Sequence, residues 1–421
     1  MFDRFDDIKK LFVKGSFIQN VGFSMGGNAI VLGIGFFLTP VIARIYGPQA
    51  YGQFAIFTAI ISIIQPISTF QLQAGYVAAK NDAQFANLIK LSFIILLIVS
   101  ALSLAGGLVY YSFGNISILP TQLALLIPLY IFFSGVFNIF RGWNIKLEEF
   151  KRSAQSKTVA TLFGKSTTLG YGWFINQSAI GMIFGSIVTF IFESLGYISH
   201  NMFNSMSQVL KAKTSFSSLK LTLSDFINYP RYVTFNSVIN NLSAQIPIYF
   251  IAAWYSTEKV GLFSLAISLL TIPVNLIGTS IGAVFLPKIS SIIDDVEKRK
   301  AALLELYKKL FYPGLIGLII LAILLKFLLP AILGVKWDGA SQLSAFVAIS
   351  FAFTIVALPI SVTYRLIHYE HTNLVLTIFF IIFKVVGLAI GLFYDNFILS
   401  VFGYFIATVL HHSSQIFLLF R

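Results

Sequence analysis

A chain of 421 residues with 57% hydrophobic and 11% charged side chains is no soluble globule, in which about 25% are charged; with a mean hydropathy of +0.85 it is a polytopic membrane protein. Cysteine is absent, which excludes a disulfide framework, a thiolate metal site and a thiol nucleophile. The formal net charge of +13 would suit nucleic acid if the basic residues gathered on one soluble face, but here they are spread between apolar segments.

Residues 1–15, MFDRFDDIKKLFVKG, set Phe2, Phe5, Ile8 and Phe12 at roughly helical spacing among Asp and Lys. The stretch is too short and too charged for a cleaved signal peptide and predicts an interfacial helix on the inner leaflet. Spans 1 and 2 follow at about 17–43 and 51–79, divided by the turn Arg44-Ile45-Tyr46-Gly47-Pro48-Gln49-Ala50. Each exceeds the ~20 residues that a helix needs to cross hydrocarbon. Asn20, Ser24 and Asn28 lie four apart and stripe one face of span 1; Gln65-Pro66 predicts a bend within span 2. Spans 3 and 4, at about 86–111 and 119–140, carry no ionisable group at their middles. After a basic loop, span 5 (158–174) is polar, with Thr161, Lys165, Ser166, Thr167 and Thr168, a composition that lets helices approach closely and hydrogen-bond. Span 6 (178–203) carries Glu193 and His200, and a Ser/Lys/Thr-rich linker occupies 204–228.

The second half opens with span 7 (229–255), again polar: Asn236 and Asn240 are four apart, as are Asn241 and Gln245. Span 8 (259–287) contains Pro273, and a charged segment precedes spans 9 to 12 at about 310–329, 341–367, 372–394 and 397–420. The opening hairpin returns 209 residues on: Ala43, Tyr46, Gly52 and Phe54 fall on Ala252, Tyr255, Gly261 and Phe263, with Ile60 and Ile61 on Leu269 and Leu270. The expected fold is therefore all-α, with about 12 transmembrane helices in two six-helix lobes around a central cavity. The expected order is an interfacial helix (1–15), an N-terminal lobe (16–203), a linker (204–228) and a C-terminal lobe (229–421). Six spans per half is even, so the halves are parallel repeats. The polar first spans should turn inward to line the cavity. With both termini cytoplasmic, inward segments hold 23 of the 29 Lys and Arg residues, as the positive-inside rule requires. The basicity is topology, and no nucleic-acid partner is expected.

The phrase LTPVIARIYGPQAYGQFAIF, followed by a polar-tipped second span, resembles the start of the bacterial polysaccharide transporters. These are O-antigen and capsule repeat-unit flippases within the multidrug/oligosaccharidyl-lipid/polysaccharide flippase superfamily. The likeness is strongest over residues 15–82; beyond, it rests on span count and layout. It implies a lipid-linked oligosaccharide substrate (an undecaprenyl-diphosphate-linked repeat unit), translocation by alternating access, and residence in the bacterial inner membrane. Membrane lipids and other polysaccharide-assembly membrane proteins are the expected partners, and no cofactor or metal is expected.

Ionisable groups near a span's middle cost about 2.5–3.5 kcal/mol on insertion scales unless they face protein or water. Lys165, Glu193 and Lys384 qualify. Each lysine lies on the fifth span of its half, about ten residues and so ~15 Å from the outer end. As point-charge partners for phosphate they would meet the diphosphate or acidic sugars of the substrate; a buried Lys165–Glu193 pair is the competing reading. Arg44 and Arg231, at opposite span ends, either snorkel or guard a cavity mouth, and Asn28, Asn236 and Asn240 complete the candidate cavity lining. His200, His411 and His412 read as interfacial. Leu162–Thr167, LFGKST, lacks the first glycine of a phosphate-binding loop (Val159 stands there) and a preceding strand, so no ATP chemistry is expected. The alternative is an ion-coupled drug or metabolite antiporter of the same superfamily, which usually carries a carboxylate in the first span of a half; spans 1 and 7 have none. An enzyme is not expected, because the outward stretches are short and nearly uncharged, and Asp338 alone forms no catalytic constellation.

Overall fold

A computed structural model describes residues 17–113, 119–293, 295–366 and 370–420; the interfacial helix expected over residues 1–15 lies outside them. The described residues form helices and turns, with no strand. We number the long helices α1 (Phe17–Ile67), α2 (Asp82–Phe113), α3 (Ile127–Lys146), α4 (Phe150–Phe174), α5 (Ala179–Tyr197), α6 (His200–Lys211), α7 (Phe216–Asp225), α8 (Phe235–Trp254), α9 (Thr257–Ser290), α10 (Val296–Leu333), α11 (Asp338–Leu366), α12 (Glu370–Phe393) and α13 (Phe397–Phe420).

Nine helices among the described residues are long and apolar enough to cross a membrane. Twelve spans are nonetheless accounted for. The first hairpin is one helix by hydrogen bonding, broken only at Gly47 (φ 71, ψ 171), so it counts once. The polar helices α4 and α8 coincide with spans 5 and 7 but are too polar to count by hydropathy. Gly47 occupies a backbone region essentially closed to residues with a Cβ. Exposed apolar side chains such as Leu97, Leu102, Ile320, Ile323, Phe327 and Ile382 are what a lipid-facing surface needs.

Two sequence expectations require correction. Span 2 does not continue bent to residue 79: α1 ends at Ile67, one residue past Pro66, and a 3-10 helix runs over Leu72–Ala78. Ser68 Oγ takes the Gln65 carbonyl at 2.7 Å, and Phe70 and Gln71 are left-handed, which ends the helix. Span 6 stops at Tyr197, because Ser199 caps α6 by accepting the Met202 N–H at 3.0 Å. The linker expected at 204–228 is itself largely helical (α6 and α7), with Ser215 and Ser218 forming a capping box at the start of α7.

The chain divides into two compact units. One holds the helical residues up to Ile34 together with Ile60–Val238; the other holds Gly35–Ala59 and Ile239–Arg421. In the first, Tyr76 is fully buried, donates to Ser92 Oγ at 2.8 Å and meets Phe85 edge to face. Phe85 in turn meets Trp143, whose indole N–H reaches Ser205 Oγ at 3.1 Å. Helices α4 and α5 pack through small residues: a Cβ on Gly164 would strike Thr189 and the Gly185 carbonyl, and one on Gly185 would strike Thr168 and the Gly164 carbonyl. Such close approach replaces the hydrophobic drive that lipid does not supply between helices.

In the second unit the repeated hairpin tips meet. A Cβ on Gly52 would strike the Thr257 carbonyl, and one on Gly261 would strike the Pro48 carbonyl. Tyr51 reaches Ser268 Oγ at 3.2 Å and packs edge to face on the buried Trp337. Helices α12 and α13 repeat the small-residue device, with Gly387 against Gly403 and Gly391 against Ser400. Tyr255 OH and Ser400 Oγ lie 2.6 Å apart.

Candidate functional site

In the first unit the polar character of α4 is met locally. Thr158, Thr161, Thr167 and Thr168 each donate to the carbonyl four residues back, at 2.7–3.0 Å, so their hydroxyls need no water. Gly27 of α1 has no room for a Cβ against Ala154 of α4. That approach brings Asn28 Oδ1 to 2.5 Å from Lys157 Nζ. Glu193, on α5, is 6% exposed and accepts from Tyr197 OH at 2.7 Å. Among the described residues no hydrogen bond or ion pair joins Glu193 to Lys165, and its carboxylate is taken by Tyr197, so the competing Lys165–Glu193 pair does not form. Lys165 is half-buried and has no hydrogen-bond or ion-pair partner among the described residues. Arg152 ties this region together by donating to the Gly196 and Ile198 carbonyls at 2.7 and 2.5 Å. Arg231 is exposed at the start of span 7, in a single π-turn over Tyr229–Thr234, with its guanidinium 5.3 Å from the Tyr232 ring centre. Asn236 is half-buried.

In the second unit Asn240 is exposed on α8, one turn from Ser243. Lys384 of α12 is 6% exposed and donates to Ser243 Oγ at 3.1 Å. His411 of α13 is 5% exposed and stacks on Phe380 and on His412 at centroid distances of 5.0 and 5.4 Å. His412 Nδ1 lies 2.9 Å from Gln415 Oε1. Arg44 donates to the Ile332 carbonyl at 3.0 Å, so it caps the last turn of α10, where a cation suits the helix dipole. The two lysines that share a register in the sequence therefore differ: Lys384 is turned into its unit and bonded, whereas Lys165 is partly open.

Sequence reasoning missed Lys157 as the partner of Asn28, because it counted Lys157 among loop cations, 129 residues away in the chain. It also placed His411 at an interface, whereas the ring is buried. The apolar run around His411 and the lysine on the preceding span were the signals available.

Residues 41–342 match the family described as polysaccharide biosynthesis protein. The chain belongs to that family. A curated relative of this chain is the lipopolysaccharide biosynthesis protein WzxC of Escherichia coli (strain K12), 23% identical over 332 residues, covering 76% of this chain. The chain spans 64% of that relative's length, less than two thirds. Among solved structures, the Lipid II flippase MurJ in an inward closed conformation is similar with a TM-score of 0.70 at 18% identity, over 94% of this chain and 86% of that one. An inward-facing multidrug resistance MATE family transporter is similar with a TM-score of 0.60 at 15% identity, over 97% and 95% of the two chains. The family member thus has the two-lobed fold of these transporters.

Proposed function

We propose that this protein is a flippase that carries an undecaprenyl-diphosphate-linked oligosaccharide, an O-antigen or capsule repeat unit, from the inner to the outer leaflet of the bacterial cytoplasmic membrane by alternating access. The family match over residues 41–342 carries the reading, and the fold similarity to the Lipid II flippase MurJ supports it. The sugar head group needs polar and cationic partners at hydrocarbon depth. Lys165, half-buried and without a partner among the described residues of the first unit, is one such candidate, and an ammonium suits a diphosphate as a point charge; Asn240 is an exposed polar candidate of the second unit. Asn28, Asn236, Arg231, Glu193 and Arg44 contribute by shaping the path or by holding the helices that line it. Membrane lipids surround the carrier tail, and other polysaccharide-assembly membrane proteins supply and consume the substrate.

A drug or metabolite antiporter is the second reading, favoured by the similarity to the MATE transporter and weakened by the lack of any Asp or Glu in spans 1 and 7. Complementation of a strain lacking its own repeat-unit flippase, with a matching sugar, separates the two. Surface glycan restored by wild type and lost in Lys165→Ala at equal expression supports the flippase and its cationic contact. Restoration by both keeps the flippase and removes Lys165. A wild type that restores no glycan yet confers efflux of cationic dyes supports the antiporter.

A further inference from the structure

We propose that α6 and α7 of the first unit form a preformed docking surface for the anionic phospholipids of the cytoplasmic leaflet, a role separate from substrate handling and independent of the flippase reading. At 1.5 Å per residue the two helices are about 18 and 15 Å long, too short to cross a hydrocarbon core of about 30 Å. They follow one another with no span between them. Yet Phe203, Leu210 and Phe216 are 65%, 78% and 85% exposed. Met202 and Val209, each one residue before Phe203 and Leu210, are buried. Seven residues are close to two turns, so α6 has one apolar edge against protein and a neighbouring apolar edge that no protein covers. A single exposed apolar residue is ordinary, but several on consecutive elements mark an interaction surface.

Charge and position decide what covers that edge. From His200 to Ser224 the chain carries Lys211, Lys213 and Lys220 and no Asp or Glu, and all three lysines are exposed. An apolar edge flanked by lysines is the pattern of a helix lying in the headgroup region of an anionic leaflet. The leaflet is already at hand: α5 ends at Tyr197, just before α6, and span 7 begins with the π-turn at Tyr229, just after α7. The surface is also rigidly held. Lys90 of α2 donates to the Ala212 carbonyl at 2.8 Å and to Thr214 Oγ1 at 2.6 Å, which fixes the turn between the two helices. Asn87 donates to Thr222 Oγ1 and Gln84 to the Asp225 carboxylate, both at 3.1 Å. These bonds take the inward polar groups of the segment and leave its three lysines for phosphate. Phe226, directly after α7, stacks on Tyr229 at 5.8 Å, and both rings close on Gly75, where a Cβ would strike them. Lipid bound along α6 and α7 therefore steadies the start of span 7.

Two measurements on the whole chain test this. The sequence has no cysteine, so a nitroxide on Leu210→Cys or Phe216→Cys reports a single site in vesicles of phosphatidylcholine and phosphatidylglycerol. Collisions with oxygen, which dissolves among acyl chains, should exceed those with a water-soluble nickel chelate, as at Leu102→Cys on the exposed apolar face of α2. Dominant nickel collisions would place the edge in water, and exclusion of both reagents would mean that protein covers it; either result overturns the surface. The second measurement counts lipid bound per protein in neutral detergent as phosphatidylglycerol or phosphatidylcholine is added. Phosphatidylglycerol should bind more tightly, and replacing Lys211, Lys213 and Lys220 by Gln should weaken it about fivefold per lysine while leaving phosphatidylcholine unchanged. Raised salt should weaken it likewise. An unchanged preference in the triple variant overturns the anionic assignment. Should that variant fail to insert, Lys220→Gln alone must still weaken phosphatidylglycerol about fivefold. Neither readout involves glycan export, so failure of the flippase reading leaves this one standing.

Discussion

Gly52 and Gly261 occupy the same place in two copies of one hairpin and face each other in the second unit. A Cβ on Gly52 would strike the Thr257 carbonyl, and one on Gly261 the Pro48 carbonyl; Pro48 and Thr257 are themselves 209 residues apart. Each copy therefore presents to the other the surface that it receives. Gly52→Ala and Gly261→Ala should each cost about 1–3 kcal/mol through overpacking, read as a lower melting temperature in detergent. Because the first Cβ already separates the helices, the double variant should cost less than the sum, by roughly 0.5–3 kcal/mol. Simple additivity would show that the two glycines do not share one contact.

Gly47 separates strain from crowding. Nothing lies within 4 Å of the position a Cβ would take, yet its φ of +71 disfavours one. Gly47→Ala should destabilise by about 1–3 kcal/mol from backbone strain alone. Gly170→Ala, equally uncrowded but within α4, should be neutral or stabilise by up to about 1 kcal/mol. Thermal unfolding of the pair checks this, and equal effects would contradict the distinction.

The two mid-membrane lysines should part company on mutation. Lys384→Met replaces a buried, uncompensated cation by an apolar side chain of similar length, which is commonly neutral or stabilising by about 1–4 kcal/mol; its melting temperature should hold or rise. Lys165→Met touches no partner among the described residues and should leave stability within about 0.5 kcal/mol while lowering glycan export. A large loss of stability in Lys165→Met would show that Lys165 is a packing residue.

Asp295 caps α10 by accepting the Lys298 backbone N–H at 3.0 Å, with Lys298 Nζ 2.9 Å from the other carboxylate oxygen. The backbone hydrogen bond from Lys298, and then its side chain, hold the Asp295 carboxyl below its ordinary value. A depressed folded-state value means that the cap contributes fully above the unfolded carboxylate range, near pH 4, and is lost as pH falls through the folded value. Hydrogen exchange at residues 297–299 should show protection at neutral pH that Asp295→Ala removes, whereas Asp295→Asn keeps it and abolishes its acid sensitivity. Unchanged exchange in Asp295→Ala would dismiss the cap.

All twelve spans were legible because hydrocarbon demands a long apolar helix whatever it packs against. The polar spans 5 and 7 could be found because their flanks and spacing agreed with the rest. The end of span 2 was not legible: Pro66 signals either a bend or a stop, and the outcome turned on Ser68 taking the Gln65 carbonyl. The capping serines of α6 and α7 were visible, but a polar linker reads the same whether or not it is helical. At the candidate site, the placement of Lys165 and Lys384 within long helices followed from the sequence. That one is bonded to Ser243 and the other partly open depends on helix rotation, which the sequence of α4 and α12 does not record. The Asn28–Lys157 hydrogen bond depends on Gly27 meeting Ala154, a pairing of small residues that short sequence motifs do not specify.

Helix α1 belongs to both units: its middle, Gly35–Ala59, is counted with residues after 239, while its two ends are counted with the first unit. Ala43, Tyr46, Ile56 and Phe57 of that middle are buried side chains of the second unit. The second unit is thus discontinuous in the chain, and a cut in the linker does not release two self-sufficient halves. A fragment beginning near residue 216 lacks part of its own core and should be degraded when made alone. It should be rescued only by co-expressing residues 1–215, which return the missing strut. Gene splitting, or the exchange of halves between relatives, would have to carry Gly35–Ala59 with the C-terminal partner that it completes.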